Sequence, residues 1–431
     1  MEEYGRSAMF IVFFVSIIIG IPIPIGSFIA TAVGLYFLNI PFGMLAQTAY
    51  QAFEPFPLLT IPLFILAGNL MLRSGMAERI IKIAEVLVGS SKGGLGQISV
   101  LASGFFASLS GSGSATSAAI GSITIPAMQE RNYSPRFAGG VVASSGALGT
   151  MIPPSNMLVM YALVAGESIP RLFLGGVLPG IVLIAMLMVV VRIYAQRCDF
   201  GGTGTFSWKR LRNVFWDGKW AAFTPILILG GIYMGYFTAT EAAAVAVFYT
   251  LFVGFFIYKE LKIADLRLAL RHTALFGGIL LIIAPTAALG QLLALYEIPD
   301  LIYQTIHQIT DSQVGVLLFC AGIFLIAGMF ADSLVQVVIL APVLLPVVTK
   351  FGVDPVFFGI FIALTCEIGF FTPPVGGNLF IAARISGAPV EEIAIGVIPF
   401  LCAFMVMLLV FCLFPSDWVV WLPNLIYGVQ G

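Results

Sequence analysis

The stretch SGALGTMIPPSN at positions 145–156 decides how this chain can fold, because it interrupts an otherwise apolar sequence. Gly146 and Gly149 allow the backbone to unwind, and Pro153 and Pro154 remove two amide donors, so several carbonyl groups lose their helical partners. In hydrocarbon each unsatisfied group is costly unless something binds it. The stretch therefore predicts an interrupted helix whose free carbonyl oxygens bind a cation, for which Na⁺ is suited.

The composition places this stretch in a membrane protein. Hydrophobic residues make up 60% of the chain and charged residues 10%, and the mean hydropathy is +1.05. These values lie outside the range of soluble domains, and the apolar runs predict about ten to twelve helical segments, some of which need not span. A net charge of −1 argues against a nucleic-acid partner, and the sequence has no GxxxxGK[ST] phosphate loop. We expect an all-α polytopic membrane protein that does not hydrolyse ATP itself.

The interrupted segment has a counterpart in the second half of the chain. Positions 147–180 align with 367–400, so that the glycines, the paired prolines and the proline before the next apolar run coincide. The match extends over roughly 62–179 and 285–399, which indicates an internal duplication.

Charge indicates that the two copies face opposite sides of the membrane. Lys and Arg favour cytoplasmic loops, and 73–92 is basic whereas its counterpart, 297–313, has no Lys or Arg. The loop 195–219 is also basic, while the corresponding tail after 414 is not. Inverted repeats are typical of secondary transporters, with the binding site near the bilayer midplane. A symmetric channel or scaffold is the alternative.

A second polar segment precedes each interruption. Positions 108–128 alternate small and hydroxyl residues between apolar flanks, which predicts a re-entrant hairpin whose tip reaches the membrane middle. Ordinary small-residue helix packing would produce a similar pattern. The counterpart, 329–347, carries Asp332 at the position matching Ser112, and a carboxylate within the membrane is a functional candidate.

These features divide the chain into five expected regions. They are N-terminal scaffold helices at 1–55; a first repeat at 56–193, with a hairpin at about 94–128 and a broken helix at about 137–165; a cytoplasmic loop and scaffold helices at 194–272; a second repeat at 273–414, with a hairpin at about 314–349 and a broken helix at about 356–385; and an extracytoplasmic tail at 415–431.

Four polar residues are candidates for substrate binding. Asn156 and Asn378 begin the segments after the two proline pairs, where free N–H groups and the helix dipole favour an anion. Ser114 lies in the first hairpin. Arg384 could pair with a substrate carboxylate or with Asp332, or it could extend to the membrane surface.

The remaining reactive residue types do not indicate an enzyme. The five cysteines show no metal or redox spacing, and His272 and His307 are expected at the surface. A serine hydrolase built on Ser110 or Ser112 would need a base beside the hydroxyl, and neither histidine lies in a convincing membrane segment.

At these residues the sequence resembles the large membrane subunit of the tripartite ATP-independent periplasmic (TRAP) transporters, the DctM-type subunit. The likeness extends over essentially the whole chain, and its most specific parts are 111–128, 149–169 and 372–387. The resemblance implies sodium-coupled uptake in the bacterial inner membrane, with an elevator-type transport domain carried on a scaffold.

The resemblance also implies two or more bound Na⁺ ions. The family's first sodium site, carried onto matching positions, would use Ser110, Ser112 and backbone oxygens of Gly149, Ile152 and Pro154. Repeat symmetry places the second at Gly369, Thr372 and Pro374, and Asp332 matches an acidic position typical of the family.

Two protein partners follow from the same resemblance, besides the membrane lipid. One is a small four-helix membrane subunit of the Q type, expected as a separate chain because this sequence begins almost directly with a membrane run. The other is a periplasmic substrate-binding protein that delivers an organic anion such as a C4-dicarboxylate or sialic acid. A sodium or anion channel built on the same repeats remains the alternative function.

Overall fold

The computed structural model describes residues 2–198, 200–202, 206–415 and 417–428, and all regular structure in these ranges is helical. This confirms the all-α class. Among the described residues six helices are long and apolar enough to cross a membrane, and one bent pair would make a seventh. The expected regions 1–55, 194–272 and 415–431 each include residues outside the described ranges.

The described residues of the first half of the chain form eleven α-helices. They are α1 (Glu2–Ile18), α2 (Ile23–Phe37), α3 (Gly43–Gln51), α4 (Thr60–Arg73), α5 (Met76–Val88), α6 (Gly94–Ser110), α7 (Gly113–Glu130), α8 (Pro135–Gly146), α9 (Leu148–Met151), α10 (Asn156–Ala165) and α11 (Ile169–Cys198).

The second half forms eleven more within its described residues. They are α12 (Trp208–Tyr233), α13 (Ala239–Phe252), α14 (Ile263–Gly277), α15 (Ile283–Leu295), α16 (Ile298–His307), α17 (Gln313–Gly328), α18 (Ser333–Lys350), α19 (Pro355–Phe370), α20 (Gly377–Ser386), α21 (Val390–Leu413) and α22 (Asp417–Tyr427). Short 3₁₀ or π turns lie at Phe56–Leu59, Val253–Ile257 and Gly278–Ile282.

Two helical hairpins are formed by α6 with α7 and by α17 with α18. Only Gly111 and Ser112 separate α6 from α7; Gly111 has a φ of +60°, which favours glycine, and the Ser112 side chain caps α7 by accepting from the Ala115 N–H at 3.4 Å. In the second hairpin Asp332 caps α18 by accepting from the Leu334 N–H at 3.0 Å. Each tip therefore ends on a polar cap.

Two helices are interrupted at the paired prolines. The first break runs from the end of α9 to α10, and the helices on either side are bent by 40°. Ser155 restarts the helix by accepting from the Leu158 N–H at 3.3 Å. The second break separates α19 from α20, with Gly376 at a φ of +51°. The peptide bond between the two prolines is cis in both breaks.

The buried apolar residues form a large cluster and a smaller N-terminal one. The large cluster joins both hairpins and both broken helices, with Phe106, Phe324 and Phe361 fully buried. The smaller one packs α1 and α2 against α15 around Met9, Leu35 and Leu292. The interrupted helices thus share one core.

Close packing of α8 against α21 predicts a stability effect. A methyl group on Gly396 would lie 2.0 Å from the Arg136 carbonyl oxygen, and one on Gly140 would lie 2.5 Å from the Gly396 carbonyl. Gly396→Ala should therefore lower the free energy of unfolding by about 1–3 kcal/mol, because backbone atoms must move apart. Thermal unfolding in detergent would measure it, with Gly230→Ala as control because nothing lies within 4 Å of that position. Equal midpoints for the two variants would contradict the prediction.

Candidate functional site

A cavity of about 470 Å³ lies where the two hairpin tips approach each other. Its wall includes residues of α4, α7, α14, α18 and both interrupted helices. The polar lining residues are Asn69, Arg73, Ser110, Ser112, Ser114, Ser122, Thr150, Asn156, His272, Asp332, Ser333 and Glu367.

The first hairpin tip is held together by hydroxyl groups. The Ser110 and Thr116 hydroxyls lie 2.9 Å apart, and Thr116 Oγ1 also donates to the Ser112 carbonyl at 2.9 Å. The Ser112 and Ser114 hydroxyls are 3.2 Å apart. The tip therefore presents a compact group of oxygen atoms to the cavity.

This tip rests directly on the first interrupted helix. The Asn156 N–H donates to the Gly111 carbonyl at 3.0 Å, and a methyl group on Gly149 would lie 2.4 Å from the Ser112 carbonyl oxygen. A methyl group on Gly111 would lie 2.8 Å from the Pro154 carbonyl oxygen. Ser110, Ser112, Gly149 and Pro154 thus come together, with Ile152 in the same turn.

The second tip contacts the second interrupted helix in a similar way. A methyl group on Gly369 would lie 2.6 Å from the Gly328 Cα, and the Gly376 N–H donates to the Met329 carbonyl at 3.4 Å. The Thr372 hydroxyl donates to the Ile368 carbonyl, and Pro374 is exposed in the break. Asp332 lines the cavity from the tip.

The four candidate substrate residues divide into two pairs. Ser114 and Asn156 line the cavity, and Asn156 is 3% exposed with its Oδ1 unpartnered within the described structure. Asn378 is fully buried outside the cavity wall, and neither atom of its amide has a partner among the described residues. Arg384 is exposed near the end of α20, outside the wall, and makes no ion pair with Asp332.

Glu367 is a candidate site residue that the sequence reasoning did not identify. It is 2% exposed, it lines the cavity, and its Oε2 has no hydrogen-bond partner in the described part of the chain. A methyl group on Gly113, at the first tip, would lie 2.7 Å from that oxygen. The aligned position in the first repeat is Ala147, so only one copy carries this carboxylate. A lone Glu inside an apolar helix was the signal that could have found it.

The histidines lie at the surface, as expected, but in different settings. His307 is half exposed, and its Nδ1 lies 2.6 Å from Asp311 Oδ1. His272 is exposed on α14 and lines the same cavity as Asp332. Arg73 lines the same cavity, 3.7 Å from the Asp265 carboxylate. The cavity therefore brings cationic and anionic groups together.

The sequence matches a family model from residue 9 to residue 416, described as the DctM component of the tripartite ATP-independent periplasmic transporter. The isethionate TRAP transporter permease protein DctMQ of Oleidesulfovibrio alaskensis is 37% identical over 416 residues, which cover 96% of this chain and 65% of that protein. The chain thus spans less than two thirds of that relative. The 2,3-diketo-L-gulonate TRAP transporter large permease protein YiaN of Escherichia coli is 34% identical over 402 residues, which cover 93% of this chain and 95% of that protein.

The fold also resembles a solved transporter structure. The crystal structure of the Alcanivorax borkumensis YdaH transporter superposes with a TM-score of 0.62 at 14% identity, covering 91% of this chain and 89% of that one. The C4-dicarboxylate TRAP transporter large permease protein DctM of Rhodobacter capsulatus is 34% identical over 423 residues. These relatives are permeases rather than enzymes. Given the match over nearly its whole length, this chain belongs to the DctM component family of the tripartite ATP-independent periplasmic transporters.

Proposed function

We propose that this chain is the large permease subunit of a sodium-coupled secondary transporter that imports an organic anion across the bacterial inner membrane. The observation that carries this proposal is the cavity of about 470 Å³ formed jointly by the two hairpin tips and the interrupted helices. Its polar lining lies between strongly apolar elements. Such sites, near the junction of two repeats, are where secondary transporters bind substrate and ions.

The oxygen atoms at the two breaks support sodium as the coupling ion. Hard cations prefer oxygen ligands, and unwound carbonyl groups coordinate Na⁺ in transporters. At the first break the tip that carries the Ser110 and Ser112 hydroxyls packs through its backbone against Gly149 and Pro154. Asn156 adds an unpartnered oxygen there, which fits a cation.

The second ion belongs at the equivalent break in the second half. Gly369, Thr372 and Pro374 supply backbone or hydroxyl oxygens, with Asp332 on the adjoining tip. Glu367 adds an unpartnered carboxylate oxygen between the two breaks. A bound cation would offset the cost of burying these acceptors without partners.

The cavity wall also supports an anionic substrate. It includes the Arg73 guanidinium on α4 and the His272 imidazole on α14, whose N–H groups can donate to a carboxylate. The relatives are named for isethionate, 2,3-diketo-L-gulonate and C4-dicarboxylates, all of which are organic anions. A periplasmic binding protein delivers the anion, and a small four-helix membrane subunit completes the transporter.

The duplicated arrangement of hairpin and interrupted helix supports an elevator mechanism. In this mechanism the two inverted repeats bring both tips and both breaks into one body, which carries the ions and the anion past the scaffold. Because ions and anion bind the same state, each raises the affinity for the other.

Uptake into proteoliposomes tests the proposed function. The chain would be reconstituted with its small subunit, and a labelled anion would be supplied with the periplasmic binding protein under an inward sodium gradient. Accumulation should require both sodium and the binding protein, and replacing sodium by choline should abolish it. Flux that continues without sodium and without the binding protein would support the channel instead.

A further inference from the structure

A second, larger cavity of about 950 Å³ lies away from the hairpin tips, where α5 and α6 meet α12. Its floor is apolar and open at the surface. Leu87 is 41% exposed, Phe105 39% and Ile226 64%, and all three line this groove with Ile80 and other apolar residues. The groove therefore offers a hydrophobic trough that the described chain leaves uncovered.

Two cationic side chains stand at the rim of this groove. Arg212 is exposed and Lys219 half-buried, and both line the cavity from α12. The Lys219 Nζ lies 3.8 Å from the centre of the Trp216 ring and 5.3 Å from that of Trp220, so its position is fixed by cation–π contacts. The rim thus combines positive charge with indole rings.

These two charges are not neutralised within the described structure. Neighbouring charged groups are already used: Arg210 bonds to Glu85 at 2.9 Å, and Asp217 lies 3.3 Å from Arg79. No carboxylate forms an ion pair with Arg212 or Lys219 among the described residues. An occupant with an anionic group would supply the missing partner.

The occupant must therefore be apolar along its length and anionic at one end. Trp residues favour the level of the lipid headgroups, and the basic segment 195–219 favours the cytoplasmic side. Basic pockets on that side bind the headgroups of anionic lipids. An apolar helix from another subunit would also fill the trough, but it would pair with the rim charges only if it carried a carboxylate at that level.

We propose that this groove binds an anionic phospholipid of the cytoplasmic leaflet. The phosphate group contacts Arg212 and Lys219, and one acyl chain lies in the trough between α5 and α12. This site is separate from the transport cavity, and the proposal does not depend on the transported anion.

Native mass spectrometry of delipidated protein tests the site by titration with phosphatidylglycerol or with phosphatidylcholine of the same acyl chains. The wild type should bind phosphatidylglycerol about tenfold more tightly. Arg212→Ala with Lys219→Ala should remove that preference. The matched control, Arg192→Ala with Arg267→Ala, changes two exposed cations outside the groove and should keep it.

A second variant tests the trough itself. Ala222→Phe fills the groove from α12 and should weaken both lipids alike, since it blocks the acyl chain rather than the headgroup. Circular dichroism and size-exclusion chromatography would establish that each variant is folded. Equal binding of the two lipids to the wild type would overturn the proposal, as would a preference that survives in the rim variant. If adding the small subunit, without any lipid, makes the residues of the groove inaccessible to solvent, that result would also overturn the proposal.

Discussion

Asp332→Asn should raise the sodium concentration needed for half-maximal uptake by about tenfold or more. Asp332 lines the cavity from the second tip, and the proposed second sodium site includes its carboxylate. A charge pair about 4 Å apart is worth about 4 kcal/mol at an effective dielectric constant of 20, and a third of that is a tenfold change in affinity. Uptake measured across a series of sodium concentrations checks this.

The choice of asparagine separates charge from folding. Asp332 caps α18 through its bond to the Leu334 N–H, and Asn is an equally good cap, so the amount of folded protein should not change. Asp332→Ala removes the cap as well and should cost about 1 kcal/mol more in stability. Asp354→Asn is the matched control, because Asp354 caps α19 at 3.0 Å to Phe357 and lies outside the cavity wall. If both asparagine variants show wild-type sodium dependence, Asp332 does not bind the ion.

Gly149→Ala should displace the first hairpin tip and remove its response to sodium. The added methyl group would lie 2.4 Å from the Ser112 carbonyl oxygen and 2.8 Å from the Gly113 nitrogen. These are backbone atoms, so no side-chain rotation can make room. We expect the free energy of unfolding to fall by about 1–3 kcal/mol. We also expect the oxygen atoms at the first break to lose their arrangement.

Thermal unfolding in sodium and in choline measures this effect. For the wild type, sodium at about 100 times its dissociation constant should add about 2.7 kcal/mol of stability per site. The Gly149→Ala variant should be less stable than the wild type in choline. In sodium, its gain in stability should be smaller than that of the wild type by the amount that one site contributes. Gly322→Ala in α17 is the control, since nothing lies within 4 Å of that position. A variant with the full sodium increment would show that the tip does not need this contact.

The sequence predicted the elements of this fold that depend on local backbone chemistry. The breaks at Pro153 and Pro373 occur because proline lacks an amide donor, and Gly111 turns the first tip because it tolerates a positive φ. Both features act within a few residues. They could therefore be recognised before any contact between distant segments was known.

The sequence could not predict in the same way which residues line the cavity. His272 was expected at the surface, and Glu367 was noticed only as the start of a repeat, yet both line the cavity. Asn156 and Asn378 are equivalent in the repeat alignment, but of these two only Asn156 lines the cavity. Repeat symmetry assigns equal roles to equivalent residues, whereas packing against α4 and α14 makes the two halves different.

Composition and the placement of glycine and proline by themselves determined that this chain is helical, suited to a membrane and interrupted twice. These properties follow from the free energy of apolar burial and from the hydrogen bonds available to each residue. The tertiary structure alone decided that the Glu367 carboxylate lies beside Gly113 of the first tip, and that Arg212 and Lys219 border an uncovered groove. Such juxtapositions depend on how helices distant in sequence pack, which no local pattern specifies.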